Sequence, residues 1–110
     1  MDKLELFEAF MDSLKDPFVF VDNEHIIRYM NNAAFGHHEK AESLPGSSIF
    51  DCHNDESNVV INSIYQKMQN GLDEELITDN EKFRIYMRAV RDKNGELLGY
   101  FERYEPPVKK

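Results

Sequence analysis

The residue types best suited to chemistry meet at one point of the chain, where the single cysteine, Cys52, is followed by His53. A thiolate and an imidazole both ligate soft or borderline metals, so the pair is a candidate site for haem iron, zinc or a redox signal. A structural zinc site needs four ligands, however, and adjacent residues seldom both point into one site. Two alternatives stand beside the metal hypothesis. Either the pair makes a polar contact to an organic ligand, or it is structural, with a buried thiol and a ring that fixes the loop.

The other histidines are weaker candidates for chemistry. His37 and His38 stand beside Glu39 and Lys40 in a polar stretch, which favours a solvated helix face over a metal site. His25 opens a strand beside a turn and is expected to be exposed. The chain contains no phosphate-binding glycine-rich loop, no Gly-x-Ser-x-Gly and no His-x-x-x-His. Because no nucleophile–base pair can be assembled from the sequence, we expect no enzymatic activity.

A helix is predicted directly after the Cys52–His53 pair. Asn54 can accept a hydrogen bond from the free amides of a first turn, and Asp55 and Glu56 place negative charge where the helix dipole favours it. Gly71 supplies a left-handed stop. The apolar residues between these signals recur at helical spacing and should form one buried face: Val60, Ile61, Ile64 and Met68.

An amphipathic helix is also predicted at the N-terminus, beginning near Asp2 and stopped by Asp16-Pro17. Its apolar residues recur at spacings of three and four: Leu4, Phe7, Phe10, Met11 and Leu14. Such a stripe must cover either the sheet of the same chain or a second copy of the chain. We therefore predict a homodimer that forms through this helix.

The remaining pattern predicts five short strands, at residues 18–21, 25–30, 75–78, 82–91 and 97–104. Polar turns join the first two and the last two strands, the second turn having Asn-Gly at its centre. Very short helices are predicted from Asn31 and through residues 37–42. The order is that of an α+β fold, a five-stranded, mostly antiparallel sheet with helices on one face. We assign residues 1–15 to the cap helix, 16–105 to the domain and 106–110 to a disordered tail.

Strand alternation separates two sets of side chains on the first strand, Val19 and Val21 on one face and Phe18 and Phe20 on the other. On the later strands, arginines stand near Glu102 and Glu105, which predicts a cross-strand charge ladder on the exposed face, with an anion site as the alternative. These arginines are Arg84, Arg88, Arg91 and Arg103.

Composition narrows the class of protein. The 110 residues form one domain, and 41% hydrophobic residues can fill a core. A net charge of -8 argues against binding to nucleic acid or to anionic lipid, because both require a basic face. The apolar runs are far too short for a membrane span. A single cysteine excludes an internal disulfide and fits a reducing cytoplasm, so we expect a cytoplasmic protein.

Four segments follow one another in an order that is typical of a known family. They are Phe18-Val19-Phe20-Val21-Asp22; Ile27-Arg28-Tyr29-Met30-Asn31-Asn32-Ala33-Ala34; Gly46-Ser47-Ser48-Ile49-Phe50-Asp51; and Ala89-Val90-Arg91-Asp92 with Gly95 and Gly99. Together they resemble the PAS domain family, over about residues 7–104. With Cys52-His53 and Glu102, the chain is more narrowly similar to the PAS modules found beside hemerythrin-like domains in anaerobic bacteria.

The resemblance implies a ligand cavity between the long helix and the helix-covered face of the sheet. Val19 and Val21 would face the helices, and Phe18 and Phe20 would meet the N-terminal helix on the outer face. The implied ligand-binding residues are Cys52, His53, Val19, Val21, Phe50, Val60, Ile61, Ile64, Phe83, Ile85, Met87 and Phe101. The alternative is that these side chains fill the core and leave no cavity.

The chain departs from two branches of the family that it resembles. The photoreceptor branch carries its reactive cysteine in an Asn-Cys-Arg-Phe segment, where this chain has Ser47-Ser48-Ile49-Phe50, so a flavin is not expected. Haem-binding relatives usually carry the axial histidine within the long helix, whereas here His53 precedes that helix and is the only candidate haem ligand. The expected function is a sensor that binds a small molecule and passes the change to a signalling protein. The alternative is a ligand-free protein-interaction module.

Overall fold

The computed structural model describes residues 1–37 and 44–108. Within them lie three α-helices, α1 (Lys3–Asp12), α2 (Asn32–His37) and α3 (Asp55–Gln69), and a 3₁₀ turn (Ile49–Cys52). The five strands are β1 (Phe18–Asp22), β2 (Ile27–Met30), β3 (Glu74–Asp79), β4 (Arg84–Arg91) and β5 (Leu97–Glu105). The predicted α+β architecture and its strand order along the chain are confirmed. The helix predicted through residues 37–42 lies largely outside the described residues.

The strands form one antiparallel sheet in the order β2-β1-β5-β4-β3. The last strand of the chain therefore lies at the centre, between β1 and β4. The 3₁₀ turn and α3 cover one face, which we call the inner face, and α1 lies against the other, the outer face. No helix in the described part of the chain is long and apolar enough to cross a membrane.

The long helix α3 begins and ends as its sequence predicts. The Asn54 side chain accepts a hydrogen bond from the Ser57 amide at 2.8 Å, and Gly71 adopts a φ of 108° just beyond the helix. The buried face consists of Ile61, Ile64, Tyr65 and Met68. Val60, predicted on the same face, is 44% exposed and lies at the edge of the helix–sheet interface.

The faces of β5 differ from the prediction. Tyr100, Glu102 and Tyr104 are buried on the inner face, so the strand's alternation places Phe101 on the outer face. There Phe101 pairs with Phe20, and its ring centroid lies 5.7 Å from that of Phe18. The prediction that Phe101 faces inward is therefore wrong. The same alternation makes the assignment of Glu102 to the exposed charge ladder wrong.

The rest of the charge ladder is present on the outer face. Arg103 contacts both Glu74 and Glu105, and Arg88 lies 3.1 Å from Glu74. Arg84 completes the ladder by pairing with Glu105 at 3.2 Å. The predicted cross-strand ladder is confirmed for these three arginines. The fourth differs.

Arg91 acts at the end of α3 rather than in the ladder. Its guanidinium donates to the carbonyl oxygens of Met68 and Leu72 at 2.7 and 3.1 Å and lies 3.2 Å from Asp73. The last carbonyls of a helix lack intrahelical partners, and a cation near them is favoured by the helix dipole. Arg91 therefore joins the C-terminus of α3 to the sheet.

Candidate functional site

A cleft of about 270 Å³ lies between the first half of α3 and the inner face of the sheet, where the resemblance implied a cavity. One wall comes from α3, the other comes from β3, β4 and β5, and His53 borders it at the end of the 3₁₀ turn. The lining residues are His53, Glu56, Ser57, Val60, Ile61, Ile77, Thr78, Ile85, Glu102 and Tyr104. The side chains predicted to fill the core have not closed this space.

The structure brings together only part of the set of residues predicted to bind a ligand. His53, Val60, Ile61 and Ile85 line the cleft. The others lie elsewhere. Val19, Val21, Ile64 and Met87 are buried in the core, Phe101 lies on the opposite face, Cys52 is exposed, Phe50 packs on His25, and Phe83 packs on Tyr104.

Glu102 is the residue that sequence reasoning missed. It is 4% exposed and stands on the central strand, paired with Val19 on one side and Met87 on the other. Among the described residues, its carboxylate has one ionic partner, His53, whose Nε2 lies 4.0 Å from Oε1. Burial raises the pKa of Glu102, and the neighbouring His53 opposes that rise. A carboxyl group with so little compensation is costly in an apolar interior, so Glu102 is a candidate functional residue.

His53 is held by its other ring nitrogen. Nδ1 lies 3.2 Å from Cys52 Sγ and 3.0 Å from the Ile49 carbonyl oxygen. The Cys52 thiol also lies 3.2 Å from that carbonyl. The His53 ring thus fixes the 3₁₀ turn on one side, as the structural hypothesis proposed, while Nε2 faces Glu102 inside the cleft. The other half of that hypothesis, a buried thiol, is wrong, because Cys52 is exposed.

These contacts raise the pKa of His53 to about 9, with the Cys52 hydrogen bond as the largest cause, followed among the raising effects by the Glu102 carboxylate and the Ile49 carbonyl. Desolvation opposes the rise. A group whose pKa is higher in the folded state stabilises the fold fully below its unfolded value, near 6.5. That stabilisation is lost as the pH rises through about 9.

We therefore predict that an NMR titration of the ring protons places the midpoint of His53 well above that of an unfolded histidine. Glu102→Gln should lower this midpoint, because it removes a negative charge beside Nε2. His25 is the internal reference, because burial lowers its pKa. If the two rings titrated together near the unfolded value, the contacts that raise the pKa of His53 would be wrong, and an unchanged His53 midpoint in Glu102→Gln would contradict its pairing with Glu102.

His25, predicted to be exposed, is half-buried in a cluster of aromatic rings. Its Nδ1 lies 2.9 Å from the Tyr100 hydroxyl, and its ring centroid is 4.7 Å from that of Phe50 and 4.6 Å from that of Tyr65. The residue has a φ of 64°, which histidine tolerates better than most residues do. His25 thus connects the 3₁₀ turn, α3 and β5.

The outer face carries a second, wholly apolar groove of about 320 Å³ beside α1. It is lined by Met11, Leu14, Phe18, Phe20, Tyr29, Val90 and Phe101. Phe18 and Phe20 therefore meet the N-terminal helix, as predicted. Three residues of the predicted dimer stripe remain more than half exposed: Leu4, Phe7 and Phe10.

A family model described as a PAS domain matches residues 7–104. The chain belongs to the PAS domain family. Among solved structures, a C-terminal domain from Streptococcus mutans is similar at a TM-score of 0.77 and 20% identity, covering 94% of this chain and 84% of that one. A PAS domain from Colwellia psychrerythraea is similar at 0.72 and 14% identity, covering 99% and 100%.

A sensory box sensor histidine kinase from Vibrio cholerae is also similar, at a TM-score of 0.63 and 11% identity, covering 96% of this chain and 89% of that one. No curated protein sequence matches the chain. At these identities, the structural likenesses show a shared PAS fold and nothing finer.

The surroundings of His53 in this PAS domain do not favour haem binding. Nδ1 of His53 is engaged by the 3₁₀ turn, and Nε2 faces the Glu102 carboxylate 4.0 Å away, so iron bound at Nε2 would have to displace that carboxylate. The cleft is also slightly smaller than the roughly 300–1,000 Å³ that drug-sized ligands occupy. In the described part of the chain no three His, Cys, Asp or Glu side chains are placed to hold a metal ion. The geometry therefore favours a small organic ligand over haem as the candidate occupant of the cleft.

Proposed function

We propose that this PAS domain is a sensory module that binds a small molecule in the cleft beside α3 and relays binding to a signalling partner. The observation that carries the proposal is Glu102, a buried carboxylate that borders open volume and whose ionic partner lies 4.0 Å away. Placing a charged group in a core without close partners costs several kcal/mol, and groups whose pKa is shifted by burial cluster at functional sites. A ligand would supply the missing contact.

The elements that meet at Glu102 provide a route by which ligand binding would be passed to the 3₁₀ turn and α3. The site joins the central strand β5 to His53, and His53 is held to the 3₁₀ turn through Ile49 and Cys52. A ligand bound to the Glu102 carboxylate would change the contact between that carboxylate and His53 Nε2. The turn is in contact with α3, since the Asn58 side chain donates to the Phe50 carbonyl at 2.9 Å. Binding is signalled only if the ligand has different affinities for two arrangements of these elements.

Neighbouring valines on α3 test whether the cleft is the binding site. Val60 lines the cleft, whereas Val59 is 69% exposed and is not among the lining residues. We expect Val60→Phe to fill the cleft and to abolish the stabilisation by small molecules that raise the unfolding temperature of the parent protein in a thermal-shift screen. Val59→Phe should respond as the parent does. Equal responses of the two variants would place the binding site elsewhere.

We also propose that the domain forms a homodimer through α1. No side chain of this helix is buried, and its exposed apolar residues Leu4, Phe7 and Phe10 are continuous with the apolar groove through Met11. A contiguous apolar surface of this kind is typical of a protein interface. A second copy presents the same surface, so a self-complementary interface requires no further partner.

Charge placed on α1 tests the dimer. We expect Phe7→Glu combined with Phe10→Glu to convert a dimer into a monomer in light-scattering measurements, because two desolvated carboxylates oppose association. Val59→Glu, an exposed apolar position on α3, is the matched control and should remain dimeric. A parent protein that is monomeric at all concentrations tested would contradict the homodimer and leave the surface to a different protein.

A further inference from the structure

Building on the proposed function, we infer that the ligand is a small protonated amine with a short aliphatic body, its ammonium group bound at the Glu102 carboxylate. The ligand would lie between the apolar side chains of α3 and those of β3 and β4. The inference concerns only the chemical class of the ligand, so it can fail while the ligand site itself remains.

The charged groups of the cleft favour a cation. Glu102 lies at the base, and Glu56 lines the cleft from the first turn of α3. Among the described residues that line the cleft there is no lysine or arginine, and His53 is the only basic side chain. The two carboxylates outnumber the one imidazolium of His53, so an anionic ligand would meet a net negative charge and be repelled. An ammonium group would be attracted by both carboxylates and repelled by His53, and the sum of these three charges favours the cation.

The hydrogen-bonding capacity of the cleft also suits a donor. Among the described residues, Glu102 accepts no hydrogen bond at ordinary length, since its contact with His53 Nε2 is 4.0 Å. An ammonium group carries three donors and no acceptor, and its hydrogen bond to a carboxylate is among the stronger ones in proteins. Ser57 and Thr78 add hydroxyl oxygens to the lining that can accept further bonds.

The apolar walls define the rest of the ligand. Val60 and Ile61 approach from α3, and Ile77 and Ile85 approach from the sheet. The space between them belongs to a cleft of only about 270 Å³, which suits a short alkyl chain better than a large ring system. The ligand so described has a charged head at the base and an aliphatic body along the walls.

Calorimetric titration with three probes of equal chain length tests the inference. Pentylamine is protonated at neutral pH as a lysine side chain is, 1-pentanol is neutral, and pentanoate is anionic. We expect pentylamine to bind about tenfold more tightly than 1-pentanol, as one charge-assisted hydrogen bond provides, and pentanoate to bind more weakly than either. Glu102→Gln, which keeps the shape of the side chain, should remove the preference for the amine over the alcohol.

Glu105→Gln, a carboxylate of the outer-face ladder, is the matched control and should keep the preference. If Glu102→Gln does not fold, Glu56→Gln at an exposed position should still reduce the ratio of amine to alcohol affinity.

Two results would overturn the amine assignment. One is that pentanoate binds as tightly as pentylamine, and the other is that Glu102→Gln keeps the preference for the amine over the alcohol. If pentanol and pentanoate bound and Val60→Phe blocked them, the cleft would remain a ligand site. No response to any of the three probes would contradict the amine assignment, and the small-molecule screen would then decide the proposed function independently.

Discussion

Gly99→Ala is expected to cause a large loss of stability, more than about 3 kcal/mol in the free energy of unfolding. Gly99 has a φ of 153°, which residues other than glycine rarely adopt. A Cβ built there would lie 2.1 Å from the Val21 carbonyl oxygen and 2.9 Å from the Asp22 Cα. Both obstacles are backbone atoms of the paired strand β1, so relief requires the central pairing of the sheet to shift.

Gly36→Ala is the matched control for this prediction. Gly36 lies in α2, where an added Cβ would meet nothing within 4 Å. Alanine there should change stability by no more than about 1 kcal/mol, in the stabilising direction, because glycine is a poor helix former. Urea denaturation of both variants measures the contrast. Equal stability of the two would show that the β1–β5 approach is looser than the structure has it.

Asn31→Ala is the second change with a large expected effect. Asn31 is fully buried, and its side chain makes four hydrogen bonds to backbone groups. Oδ1 accepts from the amides of Phe18 and Ala34 at 2.9 and 3.0 Å, and Nδ2 donates to the carbonyls of Met11 and Asp16, both at 3.0 Å. The residue thus holds the end of α1, the start of β1 and the first turn of α2 together.

Alanine at position 31 leaves several backbone groups without partners, and each such buried group costs about 1–3 kcal/mol. We expect a total loss of about 3–5 kcal/mol in urea denaturation. Asn31→Asp keeps the acceptor but places a buried carboxylate oxygen against the Met11 and Asp16 carbonyl oxygens, so it should not restore the lost stability. Asn32→Ala, at the exposed neighbouring position, is the control and should be nearly neutral. A loss for Asn31→Ala as small as that of the control would contradict the proposed role of Asn31.

Much of the fold could be predicted because the chain's local signals agree with its tertiary structure. The cap at Asn54, the apolar stripe of α3 and the stop at Gly71 all act over a few residues, so periodicity and capping rules were sufficient. The N-terminal helix also begins as predicted, with Asp2 accepting from the Glu5 amide. It ends at Asp12, and Met11 within the helix and Leu14 beyond it line the groove on the outer face of the sheet.

The faces of β5 could not be predicted from residue type. Its sequence offers Phe101 as the apolar candidate for the core and Glu102 as the charged candidate for solvent, and the structure has the reverse. The two buried tyrosines, Tyr100 and Tyr104, show which face of β5 lies inward. Because side chains alternate along a strand, an assignment that is wrong by one residue places every side chain on the wrong face. Glu102 was therefore assigned to the wrong face.

The contact between His53 and Glu102 could not be predicted either, because the two residues are far apart in the sequence. His53 was identified from its type and its place before α3. Its partner Glu102 is 49 residues away and comes from a strand whose pairing no local signal specifies. His25 was missed for a related reason. The Asp22 side chain accepts from the amides of Glu24 and Ile26, closing a turn that carries the His25 ring toward Tyr100.

The central claim is that the cleft beside α3 holds a small molecule, and native mass spectrometry tests it most directly. Freshly purified protein would be measured before and after incubation with a small-molecule extract of the expression host, with an absorption spectrum recorded alongside. We predict a non-covalently retained small mass without an intense Soret band, present in Val59→Phe and absent from Val60→Phe. The mass of the bare chain alone under both conditions, or an equal retained mass in both variants, would contradict the claim.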